Sequence, residues 1–576
     1  MELQQLRPTL MEIARTTPHG AVRRARITST VTKALKDMWH DATHHDQDNR
    51  AAGMALVAVG SLGRGDMGAM SDLDLLLVYD GNVADPAAVE EIANRLWYPI
   101  WDAGIDLDHS VRSLNQCRKV ASHDITAAVG MLSMTHLCGD KEVASRASAA
   151  VLADWRSAAR TRLTALRASA KVRQERFGEV AYLVEPDIKE ARGGLRDALL
   201  LDALAASWLT DRSHGALDDA IAELLDVRDA IHVVTGRHAN TLLAADRDEV
   251  AQVLQLNDGD QVTAHIAAAG RRVSFELDVT FRRAMGVLSG GQGISRTLVI
   301  RGRRSAPRLR YVAPDVVELA GELALAPPDG GVHDPLVALR IAAASAKSGL
   351  PISGSAVPVL SATADPPTPW SPEARGLFET LLSSGSALID VWEVLDVAGL
   401  PSRWLRGWEG VRNRPQRAPV HRHTVDRHLI EVVSRTRLWK SKVDSPVTLM
   451  LAALLHDIGK QQGIDDHSVG GAELVPQILE PLGYGANVIA DVRILVEQHL
   501  ILSQLATTQD PQDPEVIAKV TQAVQGRRDI LEMLRALTEA DASSLGSAAW
   551  TRWRERLVDE LFHGALRTLS DRPTGS

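Results

Sequence analysis

A stretch of apolar and small polar positions near residue 60 predicts the first structural unit of the chain. The apolar run from Leu56 to Val59 is typical of a buried strand, and Gly60-Ser61 follows as a sharp turn where the backbone can approach a ligand. A second apolar run carries Asp72 and Asp74 two residues apart, so a strand there directs both carboxylates to one face. The pattern therefore predicts a strand, a glycine turn that opens a short helix, and a second strand.

The chemistry of this pattern is that of a metal and phosphate site. Free N–H groups at the start of a helix favour a phosphate, and Mg²⁺ prefers a few carboxylates together with substrate phosphates. The alternative is a surface hairpin with solvated aspartates, but two acids in so apolar a strand are costly without a ligand. We therefore expect Gly60, Ser61 and Arg64 to bind a nucleoside triphosphate, and Asp72 and Asp74 to bind Mg²⁺.

Gly-Ser followed at this spacing by Asp-x-Asp between apolar residues resembles the DNA polymerase β-like nucleotidyltransferase superfamily. Enzymes of that superfamily need a third carboxylate from a neighbouring strand. The stretch from Gly104 to Arg112 alternates as a half-buried strand does, and it places Asp106 and Asp108 on one face. We assign the third carboxylate to Asp106, with Asp108 as a close alternative; the other interpretation is that both only face water.

The residues from 115 to about 290 have helical periodicity and contain one basic turn. In that turn, Gly193-Gly194 stand among Lys189, Arg192 and Arg196, directly before a helix. Arg192 and Arg196 are therefore candidates for binding the triphosphate. The spacing alone equally allows a loop that joins two helices and carries solvated charges.

A second set of chemical residues lies in the helical last third of the chain. Its members carry imidazole or carboxylate groups, and in chain order they are His428, His456, Asp457, His467, His499 and Asp541. Such groups suit Mn, Fe or Zn, and suit Mg less well. The series resembles the HD phosphohydrolase superfamily. The resemblance implies a divalent metal, Mg²⁺ or Mn²⁺, held by His428, His456, Asp457 and Asp541.

The expected roles differ within this set. His456 and Asp457 are assigned to catalysis as well as to the metal. His467 and His499 are expected in the same pocket as acid/base groups or phosphate contacts, although helix packing explains them nearly as well.

Several segments together resemble a narrower family, the bifunctional uridylyltransferase and uridylyl-removing enzymes of the PII signal protein. They are Gly60 to Val78, Asp108 to Arg112, Ile188 to Asp197, and the stretch 421–545, which resembles the removing domain. The resemblance implies metal-dependent transfer of UMP from UTP to a tyrosine of PII, and hydrolysis of that bond by the HD domain. Three alternatives stay open: ATP as the donor, a different acceptor such as a tRNA end, and a non-catalytic scaffold.

Full-length members of this family continue beyond the HD domain into two glutamine-sensing ACT domains. The sequence stops at Ser576, so we expect a short form without them, in which glutamine does not directly switch transfer and removal. Ligands of the PII substrate or a separate chain would then control the balance.

Composition narrows the class of protein. The 576 residues are 45% hydrophobic, 24% charged and only 4% aromatic, and Ala and Leu dominate, which favours a helical globular protein. The formal net charge of -9 argues against a general nucleic-acid binder, and no apolar run is long enough to span a membrane. Two cysteines make a disulfide framework implausible and indicate a cytoplasmic location.

We therefore predict an α+β, mostly helical fold of four domains. They are a polymerase β-like nucleotidyltransferase domain with an N-terminal helix at 1–140, a helical domain at 141–290, a small insert and connector at 291–400, and an all-α HD phosphohydrolase domain at 401–576.

Overall fold

The computed structural model describes residues 3–43, 51–288, 298–300, 303–305, 310–328, 331–416, 423–546 and 548–570. The chain divides into two compact units, Met1–Gly290 and Gly291–Ser576, here named the N-terminal unit and the C-terminal unit. The predicted boundary at 290/291 lies outside the described residues, and the four-domain division stays a prediction. Among the described helices, none combines the length and the apolar character needed to cross a lipid bilayer.

A four-stranded sheet and a group of helices make up the described part of the N-terminal unit. The strands are β1 Met54–Ala58, β2 Leu73–Tyr79, β3 Leu107–Ser113 and β4 Thr135–Gly139. The helices are α1 Leu6–Thr16, α2 Ala21–Thr43, α3 Gly60–Arg64, α4 Pro86–Asp102, α5 Leu114–His123, α6 Ile125–Met131, α7 Lys141–Ser157, α8 Ala159–Phe177, α9 Leu195–Ala206, α10 Ala216–Thr235, α11 Arg247–Leu254 and α12 Gly259–Leu288.

The sheet has the strand order β3-β2-β1-β4. Strand β1 pairs antiparallel with β2 and β4, whereas β2 pairs parallel with β3. All five residues of β1 are buried, as expected of a strand covered on both faces. The parallel register places Asp74 of β2 directly beside Asp108 of β3, so both carboxylates leave the sheet on the same face.

Alternate residues of β2 enter two separate hydrophobic cores. Leu75 and Leu77 belong to a core that includes residues of α1, α2 and α4. Leu76 and Val78 belong to a second core, which includes residues of α7, α9, α10 and α12. Because side chains alternate along a strand, Asp74 lies on the same face as Leu76. The carboxylate therefore points towards the side of the sheet covered by α7 to α12.

Strand β3 begins later than the sequence pattern predicts. Gly104 has a φ of 66°, and the Ile105 amide donates to the Ile100 carbonyl at 3.2 Å, so the chain is still leaving α4 at this point. The strand therefore starts at Leu107, and Asp106 precedes it instead of lying within it.

The C-terminal unit starts with short strands and continues as helices. The strands are β5 Leu298–Ile300, β6 Arg303–Ser305, β7 Arg310–Ala313, β8 Val316–Leu319 and β9 Glu322–Leu325. The helices are α13 Val337–Ser348, α14 Ala356–Ala362, α15 Pro372–Leu382, α16 Ala387–Val397, α17 Leu400–Trp404, α18 Val425–Thr436, α19 Pro446–Leu455, α20 His467–Leu479, α21 Ala486–Gln498, α22 Ile501–Thr508, α23 Pro514–Ala523, α24 Arg528–Ser544 and α25 Arg552–Ser570. The prediction of a mostly helical α+β fold is confirmed.

Helix α19 lies at the centre of the second half of this unit. From Thr448 to Leu455 every residue is buried, and the helix packs against α18, α21 and α24. A helix that is apolar on all sides belongs in the middle of a bundle. The residues directly after its end, His456 and Asp457, are consequently held among the surrounding helices.

Candidate active sites

The glycine turn of the N-terminal unit lies against Asp74. Gly60 has a φ of 58°, and a Cβ atom at this position would be 1.8 Å from Asp74 Oδ2. Only glycine therefore permits this approach of turn and carboxylate. The neighbouring Ser61 Oγ is buried, and among the described residues it has no hydrogen-bond partner. A buried hydroxyl without a partner fits a residue that contacts a ligand.

The carboxylates of Asp72, Asp74 and Asp108 line one cleft of about 590 Å³. Burial, together with the negative charges of Asp72 and Asp108, raises the pKa of Asp74 to about 6. Three carboxylates in one cleft match the donor set of a divalent cation, since the ion offsets the repulsion among their negative charges.

Asp106, the predicted third carboxylate, does not line this cleft. It is exposed, and its carbonyl accepts a hydrogen bond from the Leu73 amide at 2.9 Å. Burial lowers the pKa of the Arg7 guanidinium, while the nearby carboxylates of Asp106 and Asp72 raise it. The structure thus brings Asp108 to Asp72 and Asp74, and leaves Asp106 beside Arg7. The physical reason is the late start of β3, which puts Asp108 in register with Asp74.

The basic residues predicted to bind nucleotide have different positions. Arg64 and Arg196 line the cleft, although each also forms an ion pair, with Asp66 at 2.9 Å and with Glu190 at 3.0 Å. Arg192 is not among the residues that line it. Its guanidinium binds Asp278 of α12 at 2.6 Å, which is a contact within the helical part of the unit.

Other basic residues in the cleft were not assigned by the sequence pattern. Lys189 lines the cleft and, with Arg64, lowers the pKa of Asp74 against the effect of burial. Arg173 also lines it. The basic turn pointed to Lys189, but the position of Arg173 depends on the packing of α8 and has no local sequence signal.

The loop between α3 and β2 is held by two arginines that are distant in sequence. Arg7 donates to the Ala69 carbonyl at 2.8 Å, and Arg228 of α10 donates to the Asp66 carbonyl at 2.6 Å. The loop leads directly into Asp72. These two hydrogen bonds therefore fix the backbone that precedes the candidate metal-binding carboxylates, and no motif in the sequence indicated them.

The HD residues of the C-terminal unit converge in a buried cluster. His428 Nε2 lies 3.2 Å from His456 Nε2, 3.5 Å from Asp457 Oδ2 and 3.1 Å from Asp541 Oδ1. The Nδ1 atom of His456 is 2.9 Å from the Ala453 carbonyl, which leaves Nε2 as the free ligand atom. His428, His456 and Asp457 could hold one metal ion.

His467 and His499 approach the other oxygen of Asp457. Both Nε2 atoms lie 3.6 Å from Asp457 Oδ1, and the three residues form a second group that could hold a metal ion. His499 Nδ1 is 2.7 Å from the Val496 carbonyl, so its Nε2 also faces the carboxylate. Among the described residues, Asp457 Oδ1 has no hydrogen-bond partner. Asp457 is therefore shared between two possible ligand sets.

The pKa shifts of His456, Asp457 and Asp541 favour metal ligation. Burial acts to lower the pKa of His499, but the Asp457 carboxylate beside it raises that pKa overall. Burial lowers the pKa of His456 to about 4, so its imidazole is neutral at pH 7. Burial alone would raise the pKa values of Asp457 and Asp541. Instead, His456 and Lys460 hold that of Asp457 well below its usual range, and His428 brings that of Asp541 to about 2. Neutral imidazole and ionised carboxylate are the forms that bind metal.

Lys460 is a further residue of this site that the sequence pattern did not assign. Its ammonium lies 2.7 Å from Asp457 Oδ2 and donates to Gln416 Oε1 at 3.0 Å. It is the fifth residue of the run His456-Asp457-Ile458-Gly459-Lys460, so its proximity follows from the turn after α19.

Fold and sites together define a class of protein: a polymerase β-like nucleotidyltransferase unit combined with an HD-type unit. Residues 425–544 match the family described as HD domain. Residues 161–201 and 198–275 match the family described as GlnD PII-uridylyltransferase. Residues 10–100 match the family described as glutamate-ammonia ligase adenylyltransferase.

Relatives named bifunctional uridylyltransferase/uridylyl-removing enzyme match most of the chain. The protein of Streptomyces coelicolor is 45% identical over 544 residues, which are 94% of this chain and 65% of that one. That of Mycobacterium tuberculosis H37Rv is 41% identical, over 89% of this chain and 63% of its own length. That of Corynebacterium glutamicum is 34% identical, over 90% and 73%. The chain belongs to the bifunctional uridylyltransferase/uridylyl-removing enzyme family, and it spans somewhat less than two thirds of the first two relatives.

Proposed function

We propose that this protein transfers UMP from UTP to a tyrosine of the PII signal protein and hydrolyses the same bond in its HD unit. The observation that carries the proposal is the presence, in one chain, of the Asp72, Asp74 and Asp108 cleft and the buried HD cluster. UTP is the proposed donor because the names of the relatives specify uridylyl groups. The two unpaired, buried cysteines support the cytoplasm as the proposed location.

In the transfer site, Asp72, Asp74 and Asp108 would hold Mg²⁺. Bound there, Mg²⁺ would activate the tyrosine hydroxyl and neutralise charge on the leaving pyrophosphate. The turn at Gly60 lies close against Asp74 in the cleft, where a triphosphate would bind, and Lys189 and Arg64 supply positive charge there. In-line attack on the α-phosphate depends mainly on such positioning and charge neutralisation.

In the removal site, the proposed ligands of a first divalent metal are His428, His456, Asp457 and Asp541. Asp457, His467 and His499 are the proposed ligands of a second. Such ions would lower the pKa of water from ~15.7 towards ~7 and so provide hydroxide near neutral pH. Mn²⁺ is favoured over Mg²⁺ because four of the six proposed ligand residues are histidines.

The chain's own residues orient these ligands. The backbone carbonyls of Ala453 and Val496 fix His456 and His499, each by its Nδ1 atom. Each Nε2 lone pair is thereby directed towards Asp457. Lys460 adds a positive charge at the edge of the cluster, where the phosphate of a nucleotidylated tyrosine would lie.

Mass spectrometry of PII tests the proposed function directly. The chain is incubated with PII, Mg²⁺ and an equal mixture of UTP and ATP, and we expect a UMP adduct on one tyrosine. ATP is included because residues 10–100 match an adenylyltransferase family. The purified adduct is then returned to the chain with Mn²⁺ and no nucleotide, and we expect free UMP. An AMP adduct would overturn the choice of donor, and unmodified PII would overturn the acceptor.

A further inference from the structure

Strand β3 forms an open edge of the catalytic sheet. It is the terminal strand in the order β3-β2-β1-β4. The Leu73 amide donates to the Asp106 carbonyl at 2.9 Å. This bond shows which residues of β3 direct their backbone groups towards β2 and which direct them away from it. By that alternation, the N–H and C=O groups of Leu107, His109 and Val111 point away from β2. Within the part of the chain that the structure describes, β2 is the strand that pairs with β3, and these groups lie on the opposite side.

A strip of exposed aromatic and apolar side chains accompanies this edge. Tyr98 is 58% exposed and Trp101 44% exposed, and their rings meet edge-on at 5.6 Å. The Trp101 ring also contacts His109 of β3 at 5.1 Å, and Val111 is 36% exposed two residues further on. Exposed aromatic residues next to one another are typical of surfaces that bind another protein.

The edge is continuous with the catalytic cleft. Asp108, Ser110 and Arg112 of β3 line the cleft. His109 also lines it, and its ring contacts Trp101. Exposed carboxylates of Asp102 and Asp106 flank the beginning of the strand. A chain that follows this edge would therefore pass the metal-binding aspartates, and an acidic border would favour basic residues in it.

We propose that the open edge of β3 binds the tyrosine-bearing segment of the acceptor protein as an added, extended strand. The inference rests on the proposed function, in which a tyrosine hydroxyl must reach Asp72, Asp74 and Asp108. Side chains of an added strand alternate between the two faces. The tyrosine can then enter the cleft beside Asp108, while the residues next to it contact Trp101 and Val111. Backbone hydrogen bonds bind any extended segment, and the aromatic strip and acidic border select among segments.

Replacement of Trp101 by Ala tests the strip. Initial rates of UMP transfer are measured with PII varied at saturating UTP and Mg²⁺. We expect the KM for PII to rise about tenfold, as for an interface tryptophan, with kcat and the KM for UTP within about twofold of the unaltered chain. Trp208→Ala is the matched control, because Trp208 is a 77% exposed tryptophan of the same unit that is remote from β3 in sequence and packs on Arg156.

Replacement of Val111 by Pro tests the backbone edge. Proline removes the N–H that points to the open side and is tolerated on edge strands. Val111→Ala shortens the same side chain but keeps the N–H, so the ratio of the two KM values for PII isolates the hydrogen bond. We expect that ratio to be about threefold to tenfold, the effect of one hydrogen bond. An unchanged KM for UTP shows that the cleft is intact in both variants.

The outcomes separate this inference from the proposed function. No UMP adduct from the unaltered chain would overturn the proposed function and the inference with it. Normal transfer with an unchanged KM for PII in both Trp101→Ala and Val111→Pro would overturn the inference alone. If Val111→Pro fails to fold, Trp101→Ala decides. A dimer of the unaltered chain that dissociates in Trp101→Ala, seen by size-exclusion chromatography, would assign the edge to a second copy and also overturn the inference.

Discussion

Asp106 and Asp108 are two residues apart but have different surroundings. Asp108 shares the cleft with Asp74 and raises the pKa of that residue, whereas Asp106 lies near Arg7. The two carboxylates were nearly equivalent candidates in the sequence, since an alternating strand puts both on one face. The difference arises at Gly104 and Ile105, where the chain is still turning out of α4.

This difference predicts unequal effects of removing each charge. Asp108→Asn is expected to lower kcat for UMP transfer about 10³-fold or more, because a metal ligand is lost. Asp106→Asn is expected to stay within about tenfold, since Asp106 is outside the cleft. Steady-state transfer assays at saturating UTP and Mg²⁺ compare the two variants. A larger loss of kcat in Asp106→Asn than in Asp108→Asn would instead identify Asp106 as the third carboxylate.

The raised pKa of Asp74 predicts that Mg²⁺ stabilises the N-terminal unit more at higher pH. In the fold this pKa is about 6, against 3.8 for an ordinary Asp, so ionisation of Asp74 destabilises the metal-free unit as the pH rises from about 4 to 6. Mg²⁺ at the proposed site would bind the ionised form of Asp74 and offset that loss of stability. Below pH 6 the ion must displace a proton, which weakens its binding.

Thermal unfolding in the His456→Ala, Asp457→Ala background measures this effect without the HD metals. The increase in Tm caused by Mg²⁺ is expected to be clearly larger at pH 7 than at pH 5. Asp74→Asn is expected to reduce the Mg²⁺ effect and most of its pH dependence. Equal Mg²⁺ shifts at both pH values in the chain with Asp74 intact would contradict the role of this carboxylate.

At the scale of elements, local sequence patterns predicted those site residues that lie within a few residues of one another in the chain. The Gly60 turn and the Asp-x-Asp strand occupy adjacent elements, α3 and β2, and the apolar run of α19 ends at His456. Local patterns do not indicate contacts that depend on packing between distant elements. Arg192 belongs to the predicted basic turn, yet it pairs with Asp278, which is 86 residues away on α12.

A contact made by helix α1 was likewise not indicated by the sequence pattern, and it suggests a role for Arg7. Its hydrogen bond to the Ala69 carbonyl spans 62 residues, and no periodicity in α1 distinguishes Arg7 from the exposed Arg15 of the same helix. Arg7 is therefore a positioning residue for the loop that leads into Asp72. Loss of a charged hydrogen-bond donor from a partly buried site typically changes a rate or an equilibrium constant by about tenfold or more.

Arg7→Ala is accordingly expected to lower kcat for UMP transfer about tenfold or more, with little change in the release of UMP by the HD unit. Arg15→Ala is the matched control and is expected to change neither rate. Arg7→Lys should restore only part of the activity, since an ammonium lacks the planar geometry of a guanidinium. Equal losses of transfer and removal would instead indicate general destabilisation.

At the scale of the whole molecule, each compact unit contains its own group of candidate metal ligands. The transfer carboxylates are in Met1–Gly290 and the HD cluster is in Gly291–Ser576. The two chemistries are therefore expected to be separable by substitution.

The double variant His456→Ala, Asp457→Ala tests this separation. Asp457 belongs to both possible metal groups of the HD unit, so its loss affects both. Release of UMP from modified PII is expected to fall about 10³-fold or more, while UMP transfer stays within about twofold. His563→Ala, at an exposed histidine of the same unit, is the matched control and should preserve both rates.

Because both replaced residues are buried, Asp457→Asn serves as a conservative variant if the double variant unfolds. The removal assay contains Mn²⁺ but no pyrophosphate, so that reversal of the transfer reaction cannot release the nucleotide. If a folded variant still releases UMP at the normal rate under these conditions, the removal activity does not reside in the HD cluster.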